Sequence, residues 1–260
     1  MTTSGTTTYS VNESEIIQDA FETAEIYAAG ETVSTNDYSL ARRKLNMLAK
    51  QLSGSTDFST GMKLWARKTG YLFLAKDTGT YSIGPSGDHC TESYSQTTLS
   101  ASVAGGAGTI TVASATGIAT TYYIGVELDN GSIQWTTVNG APVGTVVTLT
   151  ASLTGAASSG NVVFCYQTKA RNPLELLSVV RRNKSGQDTP VAFDMSVAEY
   201  EAIADKSADG TPSRLYWEHG LTNSSIKLDV QPDTPTDVLR IVFLSPAEDY
   251  SAITGTLEYP

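Results

Sequence analysis

The spacing of apolar residues changes period along the chain. Between positions 10 and 54 they recur every three or four residues. Ile16, Ile17, Ala20, Phe21 and Ala24 share one helical face, and Ala41, Leu45, Leu48 and Leu52 follow at steps of four, three and four. Ser10-Val11-Asn12-Glu13 has the form of a capping box, with Ser10 at the N-cap and Glu13 at N3, and Ser34-Thr35-Asn36-Asp37 offers a second cap. Gly30, in the turn Ala28-Ala29-Gly30-Glu31, suits the end of the first helix, and Gly54 ends the second. The pattern predicts an antiparallel helical hairpin over 10–54, preceded by a polar, disordered arm at 1–9.

From residue 62 the period falls to two. Met62, Leu64 and Ala66 alternate with Lys63, Trp65 and Arg67. A turn at Lys68-Thr69-Gly70 then leads to a strand Tyr71-Leu72-Phe73-Leu74, and Asp77-Thr78-Gly79 turns into Thr80-Tyr81-Ser82-Ile83. Residues 97–168 have another texture: Lys and Arg vanish, and only Glu127 and Asp129 are acidic. Short β segments at 109–112, 123–126, 132–135, 146–149 and 161–164 alternate with small-residue turns, and Asp129-Asn130-Gly131 is a hairpin signal. This stretch reads as an inserted small β-sandwich or barrel. Beyond it, 173–180, 215–217, 225–228 and 238–243 read as strands. Ser196-Val197-Ala198-Glu199 caps a short helix with Tyr200, Ile203 and Ala204, Gly210-Thr211-Pro212 breaks it, and Asp229-Val230-Gln231-Pro232 ends a strand. The expected fold is α+β: the N-terminal helical hairpin (10–54) packs on a mixed, β-rich core domain (55–96 and 169–260), from which the inserted β-domain (97–168) projects.

Charged residues make up 17% of the chain, below the ~25% typical of soluble domains. The formal net charge of −10 disfavours a dedicated nucleic-acid binder, whose affinity rests on neutralising phosphates. Local basic clusters stand at Arg42-Arg43-Lys44 and at Arg181-Arg182-Asn183-Lys184, where a solvated face or a salt-bridge rim is the plainest reading. The two cysteines, Cys90 and Cys165, form neither a disulfide framework nor a zinc pattern and fit a reducing cytoplasm; Cys165 lies in an apolar run. No stretch approaches the ~20 apolar residues of a membrane span, and the Thr/Ser-rich N-terminus predicts no signal peptide.

Candidate chemistry is sparse, and no enzyme activity, cofactor or metal is expected. Asp88-His89-Cys90 places a carboxylate, an imidazole and a thiol in succession, but neighbours in an extended segment alternate faces. His219 follows Glu218 without a second ligand at zinc spacing. Asp194, Glu199, Glu201 and Asp205 could mimic the acid/base pair of a cell-wall hydrolase, although Glu201 and Asp205 at i,i+4 suggest a solvated helix face. Gly105-Gly106-Ala107-Gly108 lacks the following Lys-Ser/Thr of a phosphate loop. Tyr122, Tyr123 and Trp135 could form a sugar platform, which a sandwich core would explain as well.

Residues 10–84 resemble the head-to-tail connector, or tail hub, proteins of short-tailed bacteriophages. The resemblance runs through Ile16-Ile17-Gln18-Asp19-Ala20-Phe21, Gly30-Glu31, Leu40-Ala41-Arg42-Arg43-Lys44-Leu45-Asn46-Met47-Leu48, Leu64-Trp65 and Tyr81-Ser82-Ile83-Gly84. The stretch Tyr123-Ile124-Gly125-Val126-Glu127-Leu128-Asp129-Asn130-Gly131 with Gln134-Trp135 is similar to modules of the same proteins, as are Tyr200, Gly210-Thr211-Pro212 and Val230-Gln231-Pro232 in the last third. The family usually runs past a Tyr/Phe-Pro pair into another helix, and the sequence here stops at Tyr259-Pro260. The resemblance implies a structural virion protein, assembled in the bacterial host cytoplasm. It implies a homo-oligomeric ring of twelve or six copies at the head–tail junction that binds the portal protein, attaches other tail proteins, extends the DNA channel and helps retain packaged DNA. Phage DNA would pass through the lumen without sequence-specific binding, and acidic residues are expected to line it, where like charge keeps the duplex from sticking. Arg42, Arg43 and Lys44 are the expected interface residues. Two other classes are open: a carbohydrate- or receptor-binding tail module built on Tyr122, Tyr123 and Trp135, and a hydrolase using the carboxylates near 194–205.

Overall fold

A computed structural model describes residues 11–54, 66–246 and 248–249. The chain divides into two compact units, Met1–Arg67 with Ser245–Pro260, and Lys68–Leu244. The fold is α+β and mostly β, with strands in several largely antiparallel sheets. The alternating segment at Lys63-Leu64-Trp65, the arm at 1–9 and the final Tyr259-Pro260 lie outside the described residues.

In the first unit, α1 spans Glu13–Thr23 and α2 spans Thr35–Gly54. The capping box of α1 sits two residues later than the sequence predicts. Asn12 is the N-cap: its Oδ1 accepts from Glu15 N at 2.9 Å, and Glu15 Oε2 accepts from Asn12 N at 2.9 Å. Ser10 lies outside the described residues. The reason for the shift is Glu13, which is 0% exposed and accepts from Arg42 Nε of α2 at 2.6 Å. The bond turns the Glu13 carboxylate towards α2 rather than back to the start of its own helix, and Glu15 closes the cap instead. Helix α1 also ends earlier than Gly30: Glu25 takes a left-handed φ of 55°, while Gly30, at φ 81°, serves the following turn. That turn is held by Glu22, which accepts from Gly30 N, and by Tyr27, whose hydroxyl donates to Asp37 in the first turn of α2 at 2.6 Å. Ser34 Oγ caps α2 by accepting from Asp37 N. The inward face of α2 differs from the expected stripe: Ala49 is buried, Ala41 and Leu45 are half-buried, and Leu48 points outward. The side chain of Leu52 lies outside the described residues.

The strands of the second unit run β1 Arg67–Phe73, β2 Thr80–Ile83, β3 Cys90–Thr91, β4 Ser95–Thr98, β5 Thr109–Thr111, β6 Tyr123–Glu127, β7 Ile133–Thr137 and β8 Val146–Thr148. They continue as β9 Val162–Tyr166, β10 Glu175–Arg182, β11 Asp188–Pro190, β12 Asp209–Gly210, β13 Leu215–Glu218, β14 Ser224–Leu228, β15 Gln231–Pro232 and β16 Val238–Leu244, with a one-turn helix α3 at Val197–Glu201. A five-stranded sheet in the order β11-β10-β16-β1-β3 and a three-stranded sheet β13-β14-β2 enclose one core, which includes Leu72, Ile83, Leu215, Ile226, Ile241 and Phe243. Lys68-Thr69-Gly70 is not a turn but the start of β1. Space is tight at Gly70, where a Cβ would stand 3.0 Å from the Phe243 ring. Gly210, from the expected break Gly210-Thr211-Pro212, and Gln231-Pro232, from the expected strand end, take part with Asp209 in a short parallel pair.

Residues between β4 and β9 have a second core, with Leu99, Ile110, Ile124, Val126, Val147 and Leu153 among its members. One sheet runs β4-β9-β6-β7 and another pairs β5 with β8. Isolated bridges Leu99↔Val112 and Val138↔Leu149 link the two at both edges. The Asp129-Asn130-Gly131 hairpin forms as its residues dictate, with Gly131 at φ 78°. Gly125 in β6 lies opposite Trp135 in β7, whose indole covers it: a Cβ there would come within 2.8 Å of the ring.

Two substitutions test this packing. Gly125→Val forces Trp135 off its seat and is expected to cost ~1–3 kcal/mol in urea unfolding followed by tryptophan fluorescence. Arg42→Met leaves the Glu13 carboxylate buried without its cation. A lower thermal midpoint of the helical circular-dichroism signal is expected, with recovery when Glu13→Gln is added. An unchanged midpoint for Arg42→Met would remove the ion pair from its structural role.

Candidate functional site

Two regions draw together the residues singled out in the sequence. The first is the outward surface of α2. The basic triplet does not act as a block, because successive helical residues are rotated by ~100°. Arg42 turns inward to Glu13 and lies 5.2 Å from the Tyr38 ring centroid. Its guanidinium is held above its ordinary pKa, chiefly by the bond to Glu13. Arg43 and Lys44 are exposed and have no side-chain partner among the described residues. Around them stand Leu40, Met47 and Leu48, 48%, 64% and 50% exposed. The other basic cluster is a salt-bridge rim: Arg181 pairs with the buried Asp237 at 2.8 Å, Arg182 grips Asp188 with two bonds, and Lys184 reaches Glu127 at 3.5 Å.

The second region is an aromatic joint between the two cores of the Lys68–Leu244 unit. It collects Phe73 from β1, Phe164 and Tyr166 from β9, Tyr123 from β6 and Trp135 from β7, with Tyr71 and Tyr94 at its margin. The Phe73 ring meets those of Phe164, Trp135, Tyr94 and Tyr166 at centroid distances of 4.8, 5.0, 5.2 and 5.9 Å. His89, just before β3, stacks on Trp135 at 4.0 Å and an interplanar angle of 8°, and its Nδ1 lies 2.7 Å from the Tyr166 hydroxyl. Burial, with Lys169 nearby, pushes the His89 pKa down to about 4, so the ring is neutral at pH 7. Burial likewise raises the Tyr166 phenol.

The three residues of the proposed sugar platform do not form one surface. Tyr123 stacks on Tyr166 at 5.0 Å, and Trp135 is engaged by His89, Phe73 and Gly125. Both border a cleft of about 210 Å³ with His89, Thr136 and Thr137. Tyr122 instead packs beside the core of the 97–168 segment and lines a different cleft, with Ser93, Tyr94, Gly117 and Cys165. Carbohydrate platforms need an open ring face, which Trp135 has largely given to the joint.

The other candidates are dispersed. Asp88 accepts from Ser82 N, His89 enters the joint and Cys90 enters the first core, where burial pushes its thiol up to about 12. The carboxylates at 194–205 have local partners: Glu199 closes the α3 capping box and pairs with Arg214 at 3.0 Å, and those bonds bring its pKa down to about 2. A general acid needs the opposite shift. Glu201 pairs with Lys206, and Asp205 binds Ser207, which lowers its pKa. His219 meets Trp217 edge to face. Among the described residues no cluster of three or more His, Cys, Asp or Glu side chains could hold a metal ion, and no helix is long and apolar enough to cross a membrane. Sequence reasoning missed the role of His89; only its position in front of a short strand marked it.

His89 gives the joint a pH dependence. The unfolded ring titrates near its ordinary value of 6.5 and the folded one near about 4. Between these values the unfolded chain holds the extra proton, so stability falls as pH drops from 6.5 towards 4, by an order of ~2–3 kcal/mol. Urea midpoints measured across that window should converge with those of His89→Gln as pH falls. A constant gap between the two proteins would show that His89 is not the titrating group.

No family model and no curated protein matches the chain. Among solved structures, one match is to VP17, a capsid protein of bacteriophage P23-77, with 11% identity over 72% of this chain and 76% of that one. Its TM-score is 0.14, too low to carry an argument about fold or function.

Proposed function

We propose that this protein is a non-catalytic structural component of a phage virion. It forms an oligomeric ring at the head–tail junction, beneath the portal, where it extends the DNA channel, attaches tail components and helps retain packaged DNA. The observation that carries the reading is the outward face of α2, where Leu40, Met47 and Leu48 are exposed beside Arg43 and Lys44. Apolar side chains gathered on one surface and rimmed by charge mark a protein–protein contact. The same residues, Leu40 to Leu48, carry the resemblance to the connector proteins. The helical pair is the docking element in this reading. The 97–168 segment is the arm that meets the next tail component in this reading. The net charge of −10 suits a lumen that lets DNA slide.

The test is the oligomeric mass of the purified protein, alone and with its portal, by mass photometry. A portal-dependent step to six or twelve copies is expected. A monomer indifferent to the portal would sink the reading and give weight to carbohydrate binding, to be followed by titration with cell-surface polysaccharide.

A further inference from the structure

The two helices of the first unit carry complementary outer surfaces. On α1, Glu15, Asp19 and Glu22 recur at steps of four and three and form an acidic stripe turned away from the buried Glu13 and Ile17. Glu15 and Asp19 are exposed, and Glu22 is half-buried. On α2, Leu40, Lys44 and Met47 recur at the same steps, with Arg43 and Leu48 beside them, turned away from the buried Ala49. One helix therefore shows negative charge and the other positive charge around apolar side chains. Asp19, Arg43 and Lys44 have no side-chain partner among the described residues.

We propose that the acidic stripe of α1 in one copy seats on the Leu40–Lys44–Met47 face of α2 in the next copy. This rests on the assembly reading above and names its contact surface. The charge pattern identifies a second copy as the occupant, because both halves of the match belong to the same chain. The contact is heterologous: each copy uses its α1 stripe on one side and its α2 face on the other, so the pairing repeats until it closes. Leu40 and Met47 supply the apolar area removed from water, and the charges set the register and reject the α2-to-α2 and α1-to-α1 alternatives.

The geometry makes a mixing experiment decisive. Arg43→Glu with Lys44→Glu places like charges at every contact, and Asp19→Lys with Glu22→Lys makes the stripe net positive against the unchanged α2. Each variant alone, kept with portal, is expected to lose at least tenfold in the assembled fraction by mass photometry. Mixed one to one, they face each other with opposite charges, and alternating assemblies should return. Failure of the mixture to recover, with both variants folded by circular dichroism, overturns the proposal. Variants that assemble like the parent overturn this interface while leaving the ring intact. A variant pair that self-assembles but no longer binds portal reassigns the face to the portal. A parent protein that never assembles removes the functional reading itself. Should either variant fail to fold, the salt dependence of the parent decides: assembly should weaken between ~0.05 and ~0.5 M salt as screening shortens, and indifference to salt overturns the proposal.

Discussion

Four aromatic rings converge on Phe73, and through them the five-stranded sheet and the 97–168 segment become one compact unit. Each side has a core of its own, and the two meet in a third, mostly aromatic cluster that also takes in Val162 and Val238. Ring pairs at these distances prefer tilted and edge-on arrangements, and here they interlock across strands from both cores. Polar ties reinforce the same seam: Thr91 Oγ1 donates to Thr168 O, and Lys184 reaches Glu127, whose carboxylate also accepts from Val162 N.

The elements with local signals were legible in the sequence. The Asp129-Asn130-Gly131 hairpin, the Ser196–Glu199 capping box and the strands of the 97–168 segment form where the turn chemistry and the alternation put them. What was not legible depended on residues distant in sequence. Glu13 became a buried partner of Arg42, 29 positions away, and the cap moved to Asn12. Gly70 lies inside β1, where the Phe243 ring, far along the chain, leaves little room for a Cβ. Leu48 fell on the outward face because the stripe that packs is centred on Leu45 and Ala49.

The candidate site was legible only in part, for the same reason. Tyr123 and Trp135 advertise aromatic surface, and nothing local tells whether a ring face will meet solvent or a neighbouring core. Here His89, 46 positions from Trp135 by the numbering, closes one face and stays neutral to do so. A charged imidazole would lose hydration on entering the joint without gaining an anion, which is why burial lowers its pKa.

The basic triplet shows how a helix sorts a cluster into separate tasks. Arg42 cannot leave Glu13 without stranding a buried carboxylate, so its charge is spent inside the unit. Arg43 and Lys44, one and two positions on, have no such obligation and sit beside Leu40, Met47 and Leu48. The internal ion pair lies on the same side of α2 as the buried Ala49, opposite to Arg43 and Lys44. The outward side of this helix is what its inward side leaves over: Arg42 is taken by Glu13 and Ala49 is buried, while Arg43, Lys44 and Met47 stay exposed.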